Sequence, residues 1–180
     1  MLRRALRMVA GPLPAHTGVA PGAGDEACVL HALRRCGWYV ADDVVVAGAQ
    51  IDHVAVGPAG VLAVQVMWTN RPDPRGKPVI RARIAAARLR DALAAREVDV
   101  EVVAAVLAFG PGSTQEPGGL KVINSVAVLF ADQSERWVNE LSRRRLLPAT
   151  TVEAVRDTVA DLREGPQEAP QPGRALVAAR

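Results

Sequence analysis

Apolar and polar positions follow two rhythms along this chain, and the switches between them mark out its elements. From Asp25 to Cys36 the apolar residues Val29, Leu30, Leu33 and Cys36 keep the three-to-four spacing of one helix face, and Gly37 supplies the stop. Three strand-like runs follow, Trp38 to Val46, Ile51 to Val56 and Val61 to Trp68, with Gly57, Pro58, Ala59 and Gly60 as the turn between the last two. A polar loop from Thr69 to Gly76 leads to the alanine-rich stretch Val79 to Arg96, which returns to helical spacing. Val98 to Phe109 is the strongest buried strand; after a Gly/Pro loop, Gly110 to Gly119, Lys121 to Phe130 makes a fifth. Ser134 to Arg145 and Val152 to Arg163 read as closing helices, with Thr150 and Glu153 as a capping box for the second. The predicted order is α-β-β-β-α-β-β-α-α. Strands this continuously apolar imply an α/β fold whose mixed sheet is covered by helices on both faces.

The ends depart from this pattern. Leu2, Ala5, Leu6 and Val9 lie opposite Arg3, Arg4 and Arg7, a pattern shared by an organellar transit helix, a membrane-surface helix and a basic frayed end. Gly11, Pro12, Pro14, Gly18, Pro21 and Gly22 follow at once, so residues 1–21 are read as a flexible basic arm. Residues 164–180, rich in Pro and Gly, read as a disordered tail. That leaves 22–163 as one domain, the usual outcome for 180 residues of which 49% are hydrophobic and 23% charged.

Charge and cysteine narrow the classes of function. The net charge of +3 comes from the arm, because the three arginines there precede the first acid, Asp25, and the rest of the chain is balanced. Binding to nucleic acid therefore needs a local basic patch. Cys28 and Cys36 lie more than two helical turns apart and cannot pair within one helix, so they are read as reduced thiols of a cytoplasmic protein. No run approaches the ~20 apolar residues of a membrane span. No Gly-rich phosphate loop, zinc spacing or Ser/His/Asp order is present, and the tryptophans form no stacking series.

The second hairpin carries the candidate chemistry. With Pro58 and Ala59 at its tip, Val56 meets Val61, Val54 meets Ala63, and Asp52 meets Gln65. Met67 then shares the Asp52 and Gln65 face, while His53 points the other way as a core histidine. An acid in an apolar hairpin must be hydrogen-bonded, paired or metal-bound. Two readings stand: an Asp52 to Gln65 hydrogen bond, or a cation site completed from the first helix by Glu26 or Asp25.

The runs GAGDEACVLHAL and GWYVADDVVVAGAQIDHVAVGPAGVLAVQV resemble the nuclease-related domain (NERD), a branch of the PD-(D/E)XK nuclease-like superfamily, over about residues 22 to 130. The resemblance implies a restriction-endonuclease-like αβββαβ core, here followed by two C-terminal helices. It also implies Mg²⁺ held by Glu26, Asp52 and the residue at 65, with a lysine at 67 helping to activate water. Here Gln65 stands in place of the acid and Met67 in place of the lysine. Losing a charged group aimed at the reacting centre typically costs ~10² to 10³ in rate. Mg²⁺ is thus expected to be weakly held or absent and hydrolysis impaired.

Only Lys77 and Lys121 can replace the missing ammonium, since the other 20 basic residues are arginines. Lys77 lies near Arg71, Arg75 and Arg81, which suits a migrated catalytic lysine, a nucleic-acid phosphate patch or a solvated loop. Arg81 is also placed to neutralise Asp52 in lieu of a metal. The expectation is a degenerate nuclease-fold module that binds DNA or scaffolds a protein partner. A slow Mg²⁺-dependent endonuclease with a relocated lysine and a pure protein-interaction module are the alternatives.

Overall fold

A computed structural model describes residues 24–68, 76–109, 120–131 and 134–164. The expected arm lies outside these residues, as do the loops at 69–75 and 110–119 and all of the expected tail but Glu164. The elements run α1 (Gly24–Arg35), β1 (Tyr39–Val46), β2 (Ala49–Gly57), β3 (Gly60–Trp68), α2 (Lys77–Ala94), β4 (Val102–Phe109), β5 (Leu120–Ile123), β6 (Val126–Phe130), α3 (Ser134–Ser142) and α4 (Ala149–Glu164). They form an α/β fold around one six-stranded sheet in the order β1-β2-β3-β4-β6-β5. β1, β2 and β3 are antiparallel neighbours, β4 runs parallel to both β3 and β6, and β5 closes the far edge antiparallel to β6.

Helices cover both faces, as the apolar strands require. On one face Val29, Leu30 and Leu33 of α1 and Trp137, Val138 and Leu141 of α3 pack on Val40, Ala55, Leu62, Val64 and Leu107. On the other, Val79, Ala82, Leu89 and Leu93 of α2 and Val155 and Val159 of α4 pack on Val54, Val61, Ala63 and Val106. α1 ends as its Gly37 predicts: the Gly37 N–H donates to Arg34 O and the Trp38 N–H to Leu33 O, with Gly37 at φ 80. That paired closure delivers Trp38 directly into the core between α1 and the sheet.

Several boundaries differ from the sequence reading. The expected fifth strand is two strands, because Asn124 and Ser125, at φ 48 and 66, make a two-residue hairpin turn in its middle. β4 starts at Val102 rather than Val98: Val98 and Val100 turn toward the α2-side core, but residues 98–101 pair with no strand. α2 starts at Lys77, two residues early, because Pro78 suits a first helical turn. α4 starts at Ala149, and Pro148 O accepts the Val152 N–H, so Thr150 lies inside the first turn and the capping box does not form.

The β2–β3 hairpin has its tip where expected, with Val56 opposite Val61 and Gly57 opposite Gly60. The tip is held twice from outside. Gly57 lies against the Trp38 indole, and Pro58 O accepts the N–H groups of Leu146 and Leu147 at 2.8 and 2.9 Å.

Candidate functional site

The open end of that hairpin departs from regular pairing at its acid. β1 and β2 keep one register throughout, but the pair Asp43–Asp52 drops out of it, and Asp43 sits at φ 55. Both strands slip in alternation at this point. Ala41, Val44 and Val46 share the α2-side core, and so do Val54 and Ile51 across from them. Asp52 therefore has no regular place on either face.

Side chains replace the ladder where β2 and β3 separate. Regular pairing ends at His53–Val64. Beyond it, half-buried Asp52 accepts the Val66 N–H through Oδ2 at 2.7 Å, and Gln65, 2% exposed, donates its Nε2 to Gln50 O at 2.9 Å. The predicted face-to-face pair of Asp52 and Gln65 is thus replaced by two bonds to backbone, each satisfying a peptide group that the splayed strands leave open. Met67 is partly buried against the α2-side core and against a small cluster of Ala108, Val128 and Phe130.

Glu26 stands elsewhere. Its Oε1 lies 2.8 Å from His53 Nε2, and Asp42 Oδ1 lies 2.9 Å from His53 Nδ1. His53 is directed to the α1 side, opposite to Gln65, as the alternation predicts, and it captures the carboxylate that was expected beside Asp52. Arg34 completes the group by donating to both oxygens of Asp42 at 3.0 and 3.3 Å. Both imidazole nitrogens are engaged, so neither is left for a metal or a substrate proton. The network ties α1 to β1 and β2.

The expected cation set is therefore not assembled as a set of free donors. Glu26 is held on His53, Asp52 on Val66, and the amide of Gln65 on Gln50; among the described residues no three His, Cys, Asp or Glu side chains are grouped to hold a metal ion. Arg81, proposed to neutralise Asp52, is exposed, and no ion pair joins the two. Arg81 instead lines a surface cleft of about 350 Å³ with Ala47, Gly48, Ala49, Gln50, Ile84 and Arg88. Lys77 is exposed at the start of α2; Lys121 lies in β5 opposite Val128; Asp25 lies in α1; Arg71 and Arg75 fall outside the described residues.

Asp42, Arg34 and Gln50 are the participants that sequence reasoning missed. Two adjacent acids in mid-strand, Asp42 and Asp43, were the available signal for the first. Gln50 contributes only its backbone carbonyl, which no side-chain pattern reveals.

The Asp52 bond gives a direct test. Asp52→Ala leaves the Val66 N–H without its acceptor and is expected to cost about 1–3 kcal/mol in urea unfolding, whereas Asp52→Asn, which keeps an acceptor oxygen, should cost clearly less. Equal losses would assign the role to the charge rather than to the hydrogen bond.

Compared with protein-family models, with curated proteins and with solved structures, the chain has no match. Among the described residues no helix is long and apolar enough to cross a membrane.

Proposed function

We propose that this chain is a NERD-like module of the restriction-endonuclease-like fold whose hydrolytic centre is impaired and which acts by binding, as a nucleic-acid-binding or scaffolding domain. The order α1-β1-β2-β3-α2-β4, with three antiparallel strands followed by a parallel one, supports the fold part of this reading. The observation that carries the functional part is the state of positions 65 and 67. A neutral amide is buried and spent on a backbone carbonyl where the resemblance calls for a carboxylate, and a thioether packs into the core where it calls for an ammonium. A phosphodiester brought to this fork meets one half-buried carboxylate and, at positions 65 and 67, no cation to stabilise the charge that develops on a phosphoryl oxygen.

Purified protein incubated with plasmid DNA and Mg²⁺ or Mn²⁺ is expected to give no nicking above a buffer control. Robust cleavage that disappears in Asp52→Ala would overturn the reading, and its loss in Lys77→Ala or Lys121→Ala would identify a relocated lysine.

A further inference from the structure

The outer surface of α2 is strongly one-signed. Lys77, Arg81, Arg83, Arg88 and Arg90 are exposed along it against a single acid, Asp91, although the chain as a whole beyond its first residues is balanced. Three arginines are neutralised by a neighbour: Arg34 pairs with Asp42, Arg156 with Asp157 and, on α2 itself, Arg90 with Asp91. Arg81 and Arg88 have no such partner among the described residues. They line the cleft with Ile84 between them, and the opposite wall is the β1–β2 turn, built from the small residues Ala47, Gly48 and Ala49.

Apolar exposure coincides with this charge. Ile84 is 50% exposed and Ile80, one turn earlier, 56% exposed, whereas the inward residues of the same helix, Val79, Ala82, Leu89 and Leu93, are fully covered. Two large aliphatic side chains on adjacent turns form a ridge rather than a scattered pair. Arg81 and Arg88, seven residues apart, stand about 10.5 Å apart along the helix axis.

Resting on the reading of the chain as a binding module, we propose that this cleft and ridge dock an acidic, aliphatic-bearing peptide segment of a protein partner. Its carboxylates pair with Arg81 and Arg88, and its apolar side chains cover Ile84 and Ile80. Charge complementarity selects the sign of the partner, and the guanidinium fork suits carboxylates in pairs. The isoleucines select its kind. A nucleic-acid backbone is gripped by basic and hydroxyl side chains and backbone N–H groups, and an aliphatic ridge between two arginines adds nothing to that grip. For a peptide the same ridge is the apolar centre of an interface and the arginines its anchors.

The test is selection of a displayed random peptide library of about twelve residues on the immobilised full chain. The selected sequences are expected to combine Asp or Glu with Leu, Ile, Val or Phe. A synthetic representative should bind at least about tenfold more weakly to Ile84→Asp and to Arg88→Glu, both of which should keep the parent melting temperature because the two side chains are on the surface. Failure to select any peptide, selected peptides without acids, or undiminished binding by both variants would each overturn the proposal. A DNA duplex of about 20 base pairs that binds more tightly than the selected peptide and is lost in the same variants would assign the face to nucleic acid and overturn it equally. DNA cleavage by the chain would sink the binding-module reading while leaving the peptide result to stand or fall by itself.

Discussion

Gly57→Ala should lower the melting temperature by roughly 6–12 °C, corresponding to about 3 kcal/mol for a chain of this size. A Cβ at this position would fall inside the Trp38 indole, 2.6 Å from Cε2 and 2.7 Å from Cε3. The ring has nowhere to go. It is 3% exposed, its Nε1 donates to Ser142 Oγ at 2.9 Å, and it belongs to the core formed by α1, α3 and the sheet. The alternative is for the hairpin to move, and that would strain the two bonds to Pro58 O that seat Leu146 and Leu147. Differential scanning calorimetry decides the matter. A melting temperature unchanged within 2 °C would mean that the hairpin tip yields far more freely than its neighbours suggest. Trp38→Phe in the Gly57→Ala background should recover part of the loss, because the smaller ring vacates some of the contested volume.

The other large effect is expected from rebuilding the motif. Gln65→Glu with Met67→Lys is predicted to cost about 3–5 kcal/mol without metal. Gln65 donates a hydrogen bond to Gln50 O from a site 2% exposed. A carboxylate there offers only acceptors, so it faces that carbonyl with like polarity and no water to screen it. Lysine at 67 brings an ammonium among Ala108, Val128, Phe130 and the α2-side core. The restored side chains do not by themselves bring Glu26 to the fork, because His53 holds it on the other side of the sheet. The double variant should therefore melt lower and gain little from Mg²⁺. A rise in melting temperature that grows with Mg²⁺ concentration, accompanied by DNA cleavage, would show that Asp52 and Glu at 65 suffice as ligands and that two side chains separate this protein from a nuclease.

The fold was legible in the sequence wherever periodicity was strong. The helix from Asp25, the three strands after it, the hairpin with its tip at Pro58–Ala59 and the doubly covered sheet all follow from apolar spacing and turn chemistry. What escaped was local backbone conformation. The Asn124–Ser125 turn requires two positive φ angles that its residue types permit without announcing, so two short strands read as one long one. The geometry expected of the candidate site departs from the structure at the same level. Period-two alternation places His53 correctly, but the slip at Asp43 and Asp52 removes the premise on which the Asp52 face was deduced. The competition for Glu26 could not be read from the sequence either, since it depends on how α1 settles across β1 and β2, a tertiary distance that no spacing encodes.

Asp43 has a consequence beyond the site. β1 is the outer strand of the sheet, and the opposite outer strand, β5, is only four residues long. A free strand edge of eight residues is the usual starting point for one molecule to add itself to another, backbone to backbone. Here the left-handed turn of the chain at Asp43 cuts that edge into Tyr39–Asp42 and Val44–Val46, and an exposed carboxylate stands at the cut. An incoming strand would find a few bonds, then a kink and a charge, then a few more, too short a run on either side to nucleate a lasting ladder. The residue that spoils the regularity of the site thus also works against edge-to-edge stacking of neighbouring copies.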